Sequence, residues 1–259
     1  MIRAYTITSG KGGVGKTTLT VNLGISLSLL ERETYILDAD IGMANMALIL
    51  GMDDVPVTLH EVLAGKADIE DAIYEGPAGL KVVPSGISLQ GFQQADPDKL
   101  RDVMHKLVDR CEFLLIDAPS GISKEGVVPL SVADQVILVA NPELASMADA
   151  LKTKILCEVM GGKVYGAILN RAGIEHTEIR SHSVEDVLGV RVIDVVPEDA
   201  NVRRAAAYKS PCVLKYPTSP ATKAFRRIAA QISGVEYEEE DAGTKEEGFV
   251  DRLARAVFR

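Results

Sequence analysis

Apolar, β-branched-rich runs of five to eight residues recur along the chain: AYTIT at 4–8, TYILD at 34–38, LKVVP at 80–84, EFLLID at 112–117, QVILVA at 135–140, KVYGAILN at 163–170 and VRVIDVVP at 190–197. Longer stretches with helical spacing separate them, at 16–30, 97–110, 143–160 and 219–233. Runs that are apolar throughout mark strands covered on both faces, and their alternation with amphipathic helices marks βαβ units. The pattern therefore predicts one α/β domain over residues 1–234, with a mostly parallel, twisted β-sheet covered by helices on both faces. Ligands of such sheets sit beyond the carboxyl ends of the strands, so the residues just after each run are where chemistry is expected.

The pattern breaks after Val235. EYEEEDAGTKEEG carries seven acidic residues in thirteen, too little apolar surface to fold, and reads as a flexible linker over 235–247. The last segment, FVDRLARAVFR, is different again. At 100° per residue Phe249, Val250, Leu253, Ala254, Ala256, Val257 and Phe258 fall on one side, and Asp251, Arg252, Arg255 and Arg259 on the other. Residues 248–259 thus predict an amphipathic helix suited to an interface with anionic headgroups. Glu246 and Glu247 at its start and the arginines toward its end suit the helix dipole.

Composition narrows the classes without choosing one. The chain has 259 residues, and no apolar run approaches the roughly 18 to 20 residues of a membrane span. MIRAYTITSGKGG runs as a strand into a glycine loop and lacks the basic-then-apolar order of a secretory signal, so cytoplasmic residence is expected. A net charge of -9 argues against a globally basic nucleic-acid binder. Cys111, Cys157 and Cys212 read as buried free thiols, and His60, His105, His176 and His182 combine with them at no zinc spacing, so no metal site made only of protein ligands is expected.

The chemistry is concentrated in SGKGGVGKTT at 9–18. Gly10, Gly15, Lys16 and Thr17 complete the phosphate-loop pattern G-x-x-x-x-G-K-[ST] between a strand and a helix. Glycines free the backbone N–H groups to face an anion, and the helix aims its positive end at the same point. Lys16 is placed to reach β- and γ-phosphates, and Thr17 to offer a hydroxyl to Mg²⁺. A magnesium site needs further oxygen ligands at neighbouring strand ends. Asp117, closing FLLID, has the form that holds the metal directly or through water, and Asp38 and Asp40 end the strand YILDAD. Lys11 is a surplus cation that a single phosphate site does not require.

These residues resemble a known family. Lys11, Gly12, Gly13, Lys16 and Thr17 form the K-G-G-x-x-x-K-[ST] pattern of the deviant Walker A loop of the MinD/ParA ATPases. DADIGMAN at 38–45 resembles that family's switch I region, and IDAPSGI at 116–122 its switch II. ILNR at 168–171 and VPEDANVRRAA at 196–206 resemble its adenine-side segments. Together they cover residues 1 to about 233 in the right order, and the likeness is greatest to MinD proteins of the archaeal type. The resemblance implies a P-loop NTPase fold, ATP and ADP as ligands with Mg²⁺, and a homodimer when ATP is bound. In it Lys11 crosses to the phosphates of the opposing subunit, Asp40 orients the attacking water, and Asp38 is metal-side. Gly12, Gly13, Val14, Gly15 and Thr18 line the phosphates; Asn170 and Arg171, with Pro197 and Asp199, lie beside the base; Asn45 faces the partner's nucleotide. N-K-x-D, the guanine signature, is replaced at 170–173 by NRAG, which favours adenine.

MinD relatives carry a C-terminal membrane-targeting helix, so the resemblance and the pattern of 248–259 point the same way. The expected protein is an ATP hydrolase that dimerises on ATP and attaches peripherally to the inner face of the cell membrane. It would position division or other surface machinery, with an unidentified activator or cargo protein. The alternatives are a ParA-like partition ATPase on DNA, a flagellar-number regulator of the same family, and a non-enzymatic adaptor with a structural nucleotide. DNA binding would draw on Arg203, Arg204, Lys209, Lys215, Lys223, Arg226 and Arg227, the one dense basic supply.

Overall fold

In the computed structural model, which describes residues 3–52, 54–121, 124–173 and 181–237, all seven apolar runs are strands of one sheet. Along the chain the elements are β1 (Arg3–Thr8), α1 (Lys16–Leu29), β2 (Thr34–Asp38), α2 (Met46–Leu50), α3 (Leu59–Leu63), β3 (Tyr74–Glu75), β4 (Lys81–Val83), α4 (Leu89–Gln94), α5 (Leu100–Val108) and β5 (Phe113–Asp117). The second half adds α6 (Lys124–Val132), β6 (Gln135–Ala140), α7 (Leu144–Val159), β7 (Val164–Ala172), α8 (Ser181–Leu188), β8 (Val192–Pro197), α9 (Ala200–Ala207), α10 (Cys212–Lys215) and α11 (Pro220–Ser233). The order across the sheet is β3-β4-β2-β5-β1-β6-β7-β8. Every pairing is parallel except that of the two-residue edge strand β3 with β4, which the apolar pattern did not mark.

Period-two alternation sorts each strand's residues between two covered faces. On β5, Phe113 and Leu115 enter the core shared with α1 and α11, while Leu114 and Ile116 enter the one beneath α3 and α5. On β6, Ile137 and Val139 join the first core, and Val136, Leu138 and Ala140 join a third with α6, α7 and α8. Helix α1 is buried on every side from Leu19 to Leu27, which explains why it lacks a polar stripe. The end of the helical pattern at 219–233 is fixed by its caps. Ser219 accepts from the Thr222 N–H, Pro220 occupies the first turn, and Gly234 takes the left-handed conformation at φ 74°. Residues 248–259 and most of the acidic stretch lie outside the described residues.

This topology sets the carboxyl ends of β1, β2 and β5 side by side, with Asp38 and Asp117 in register across the β2–β5 pair. The phosphate loop leaves β1 at that same edge.

Candidate functional site

Helix α1 begins at Lys16 with Gly15 as its cap, at φ 94°, with no side chain capping it and no acidic residue in its first turn. Its first N–H groups are therefore left to a ligand, and the helix dipole favours an anion there. The loop glycines serve different ends. A Cβ on Gly10 would lie 2.3 Å from the Asp149 backbone of α7, and Gly13 has φ 80°. A Cβ on Gly12 would meet nothing within 4 Å, so the fold itself does not demand glycine there, whereas a ligand approaching the backbone does. Val14 is buried beneath the loop.

Lys16 is 6% exposed, and its Nζ donates to Asp117 Oδ1 at 2.9 Å and stands 3.9 Å from Asp40 Oδ2. Among the described residues Asp117 Oδ2 is buried with no hydrogen-bond partner, an acceptor left open beside the phosphate loop. Asp40 is held in a tight turn, because the Met43 N–H donates to its carbonyl and to its Oδ1, both at 3.2 Å. Asp38 is occupied differently from the other two. Its Oδ1 accepts from the Asp40 N–H at 3.2 Å and its Oδ2 from the Met46 N–H at 3.3 Å, so it brackets the 40–46 segment.

Burial pushes the Asp38 carboxyl well above the ordinary aspartate range, and Asp117 and Asp40 nearby add to the rise. Burial also raises Asp117, against the pull of the Lys16 ammonium and the Thr17 hydroxyl. One lysine among three carboxylates leaves the site short of positive charge, which is what a divalent cation supplies. The raised Asp38 carboxyl gives stability a definite slope with pH. Between the unperturbed 3.8 and its raised folded value, the native chain keeps a proton that the unfolded chain has lost, so stability falls as pH rises through that window. Urea midpoints of the nucleotide-free protein, followed upward from the unperturbed value of 3.8, should fall less steeply in Asp38→Asn than in the native sequence. Equal slopes would mean that Asp38 titrates alike in both states.

On the other side of the loop, Asn170 at the end of β7 donates from Nδ2 to the Val14 carbonyl at 2.6 Å. A Cβ on Gly15 would lie 2.4 Å from that nitrogen, so the asparagine and the glycine are fitted to each other. Arg171 comes next at φ 59°, where the β7–β8 register slips by one residue. Arg171 faces Glu198 at 3.9 Å, and Arg203 also pairs with Glu198. An open groove lined by Thr18, Asn170, Arg171, Pro197, Glu198 and Phe225, among others, runs beside α1. Asp199 contributes to its wall, but its carboxylate is spent on helix ends: Oδ1 accepts from Asn201 at 2.8 Å and Oδ2 from Ala221 at 3.2 Å, tying α9 to α11.

The structure thus gathers Gly12, Gly13, Gly15, Lys16, Thr17, Asp40 and Asp117 at one strand edge, with Thr18, Asn170, Arg171 and Pro197 along the adjoining groove. Lys11 is exposed and, among the described residues, held by no ion pair. Glu198 and His60 were not among the residues singled out from the sequence for the site. Glu198 was legible as the acidic partner in PED, but the five-residue helix that carries His60 is too short for a periodic signal.

A model of the CobQ/CobB/MinD/ParA nucleotide binding domain matches residues 5–212. The chain belongs to this family. An uncharacterized ATP-binding protein of Methanocaldococcus jannaschii is 47% identical over 258 residues, which covers 100% of this chain and 97% of the relative. The cell division ATPase MinD of Pyrococcus furiosus superposes with a TM-score of 0.87 at 38% identity, over 90% of this chain and 99% of that one. The septum site-determining protein MinD of Pyrococcus horikoshii, solved with Mg-ADP, also gives 0.87, at 37% identity over 90% and 96%. The parallel sheet with helices on both faces is the MinD form of the P-loop NTPase fold.

Proposed function

We propose that the chain is a MinD-like ATPase that dimerises on binding ATP, attaches through residues 248–259 to an anionic membrane surface, and positions cell-division machinery. The observation that carries this reading is the contrast between its two loop lysines. Lys16 is buried and paired with Asp117, whereas Lys11 is exposed on the same loop with no ion pair among the described residues. One cation is committed to its own site and the other is presented outward.

The residues fit a nucleotide and its metal: open N–H groups at α1, clear space over Gly12, an unpartnered Asp117 oxygen and a Thr17 hydroxyl beside it. Thr17 and Asp117 would hold Mg²⁺, directly or through water, and the ion when bound offsets phosphate charge during transfer. Lys16 Nζ exchanges a carboxylate for phosphate oxygens, and the groove by Asn170, Arg171 and Pro197 takes the adenine. Asp40, fixed by the Met43 N–H, orients the attacking water, since a loose phosphoryl-transfer transition state needs positioning more than proton abstraction. Lys11 of an opposing subunit completes the charge clamp, so ATP favours the dimer and hydrolysis releases it. The named activity of the Pyrococcus furiosus neighbour and the Mg-ADP in the Pyrococcus horikoshii one support this assignment.

Dimerisation becomes recruitment because a single short amphipathic helix binds weakly, and a second insertion in a dimer is intramolecular. Co-sedimentation with anionic vesicles and, separately, with duplex DNA, each with ATP and with ADP, tests the output. The protein should pellet with vesicles in ATP alone, weaken with salt as the arginines are screened, and lose binding in Leu253→Glu while retaining ATP binding. ATP-dependent binding to DNA instead of vesicles would assign it to the partition branch, and equal pelleting in ADP would break the coupling.

A further inference from the structure

The turn that holds Asp40 is anchored from outside the nucleotide site. His60 on α3 is 1% exposed, and its Nε2 lies 2.8 Å from the carbonyl of Ile41, the residue after Asp40. A carbonyl only accepts, so Nε2 carries a hydrogen and donates. Among the described residues Nδ1 has no hydrogen-bond partner, and it is walled in by a segment that wraps the ring. A Cβ on Gly86 would lie 2.6 Å from Nδ1, and one on Gly91 would lie 2.8 Å from it. The ring of Phe92 sits 6.4 Å away, centroid to centroid. The imidazole is thus gripped on one side by residues 86–92 and reaches with Nε2–H to the turn on the other.

Four side chains hydrogen-bond to the backbone of that turn, one of them Asn45, whose Nδ2 donates to the Met43 carbonyl at 2.7 Å. Asp38 takes the N–H groups of Asp40 and Met46, Asp40 takes the N–H of Met43, and His60 takes the carbonyl of Ile41. The first three bind the segment to itself and to β2. Of these four, His60 alone ties the turn's backbone to a separately packed helix, whose Leu59 and Leu63 share a core cluster with the buried Ile41 side chain.

We infer that His60 is the positioning residue for Asp40: its Nε2–H fixes the 40–43 turn so that the Asp40 carboxylate faces the phosphate loop. The inference rests on the assignment of Asp40 as the residue that orients the attacking water. Without the strut Asp40 remains present but samples orientations that do not hold water in line, so turnover falls while ground-state nucleotide binding stays.

Two kinds of variant separate positioning from mere packing. His60→Leu keeps bulk and removes the donor. His60→Gln places an amide nitrogen near the Nε2 position, whereas the shorter His60→Asn cannot reach Ile41. With His60→Leu and His60→Asn, kcat should fall about tenfold or more, with KM for ATP and affinity for a fluorescent ADP within about twofold; His60→Gln should recover most of the loss. Amide exchange read by mass spectrometry should quicken across 41–46 in the Leu and Asn variants and stay unchanged in β2. Native kcat and exchange in both, or Gln no better than Asn, would overturn the inference. Loss of nucleotide affinity in step with kcat would do the same, by making the role one of general packing. If the Leu variant does not fold, the contrast of Gln with Asn decides. Should the native chain prove not to hydrolyse ATP, the ATPase reading fails, while the exchange of 41–46 still decides whether His60 holds the turn.

Discussion

Lys16→Ala is expected to lower ATP turnover by on the order of 10²–10³-fold, the loss typical of removing one preorganised charge from a developing anion. Nucleotide affinity should fall as well, because Lys16 faces the phosphates in the ground state as much as in the transition state. The structure adds a second consequence. Lys16 is the cation beside two buried carboxylates, Asp117 at 2.9 Å and, through it, Asp38 in the next strand. Once it is gone the ionised form of Asp117 loses its main compensation and that of Asp38 a smaller one, so both carboxyls rise further. The variant should therefore stay folded, as its circular dichroism will report, while its phosphate loop no longer meets an anionic ligand with a fixed positive charge. Turnover near that of the native chain would remove the phosphate-site assignment.

Lys11→Ala should also stop hydrolysis, by a different route. A cation delivered from a partner to a transferring phosphoryl group is worth roughly 10³-fold or more, so turnover should drop by about that factor. Its side chain is exposed with no ion pair among the described residues, so stability should change by less than about 0.5 kcal/mol. ADP affinity of the monomer should stay within about twofold, in contrast to Lys16→Ala, because nothing in its own subunit's site depends on it. Titration of both variants with a fluorescent ADP separates the two lysines. Equal weakening would mean that Lys11 serves its own subunit's phosphates.

The sheet was legible because its strands are buried on both faces, so each apolar run is long enough to stand out from its flanks. Helices α1, α5, α7 and α11 were legible for the same reason of length. The short helices α2, α3, α4, α9 and α10 were not, since four to eight residues complete too few turns for a period to emerge, and strand β3 pairs only two residues. At the site, the phosphate loop and the strand-end aspartates were visible because spacing along the chain sets their geometry. What each aspartate does was less so. Spacing alone marks Asp38, Asp40 and Asp117 only as strand-end carboxylates, and the family resemblance supplies their separate roles; folding turns Asp38 to backbone N–H groups, Asp40 to a turn and Asp117 to Lys16. Likewise Asn170 reads as a base contact, but its N–H braces the Val14 carbonyl, a partner 156 positions away. His60 carried no signal of its own, because its meaning lies in a carbonyl nineteen residues back and two glycines beyond a strand.

The measurement that bears most directly on the central claim is solution mass by light scattering, made on Asp40→Ala so that bound ATP is not consumed. With Mg²⁺ and ATP this protein should have twice the 27.8 kDa of one chain, and with Mg²⁺ and ADP it should have 27.8 kDa. Adding Lys11→Ala should return the ATP-bound protein to a single chain. A dimer that forms as readily with ADP, or that survives the loss of Lys11, would contradict the claim that ATP joins two subunits through that lysine.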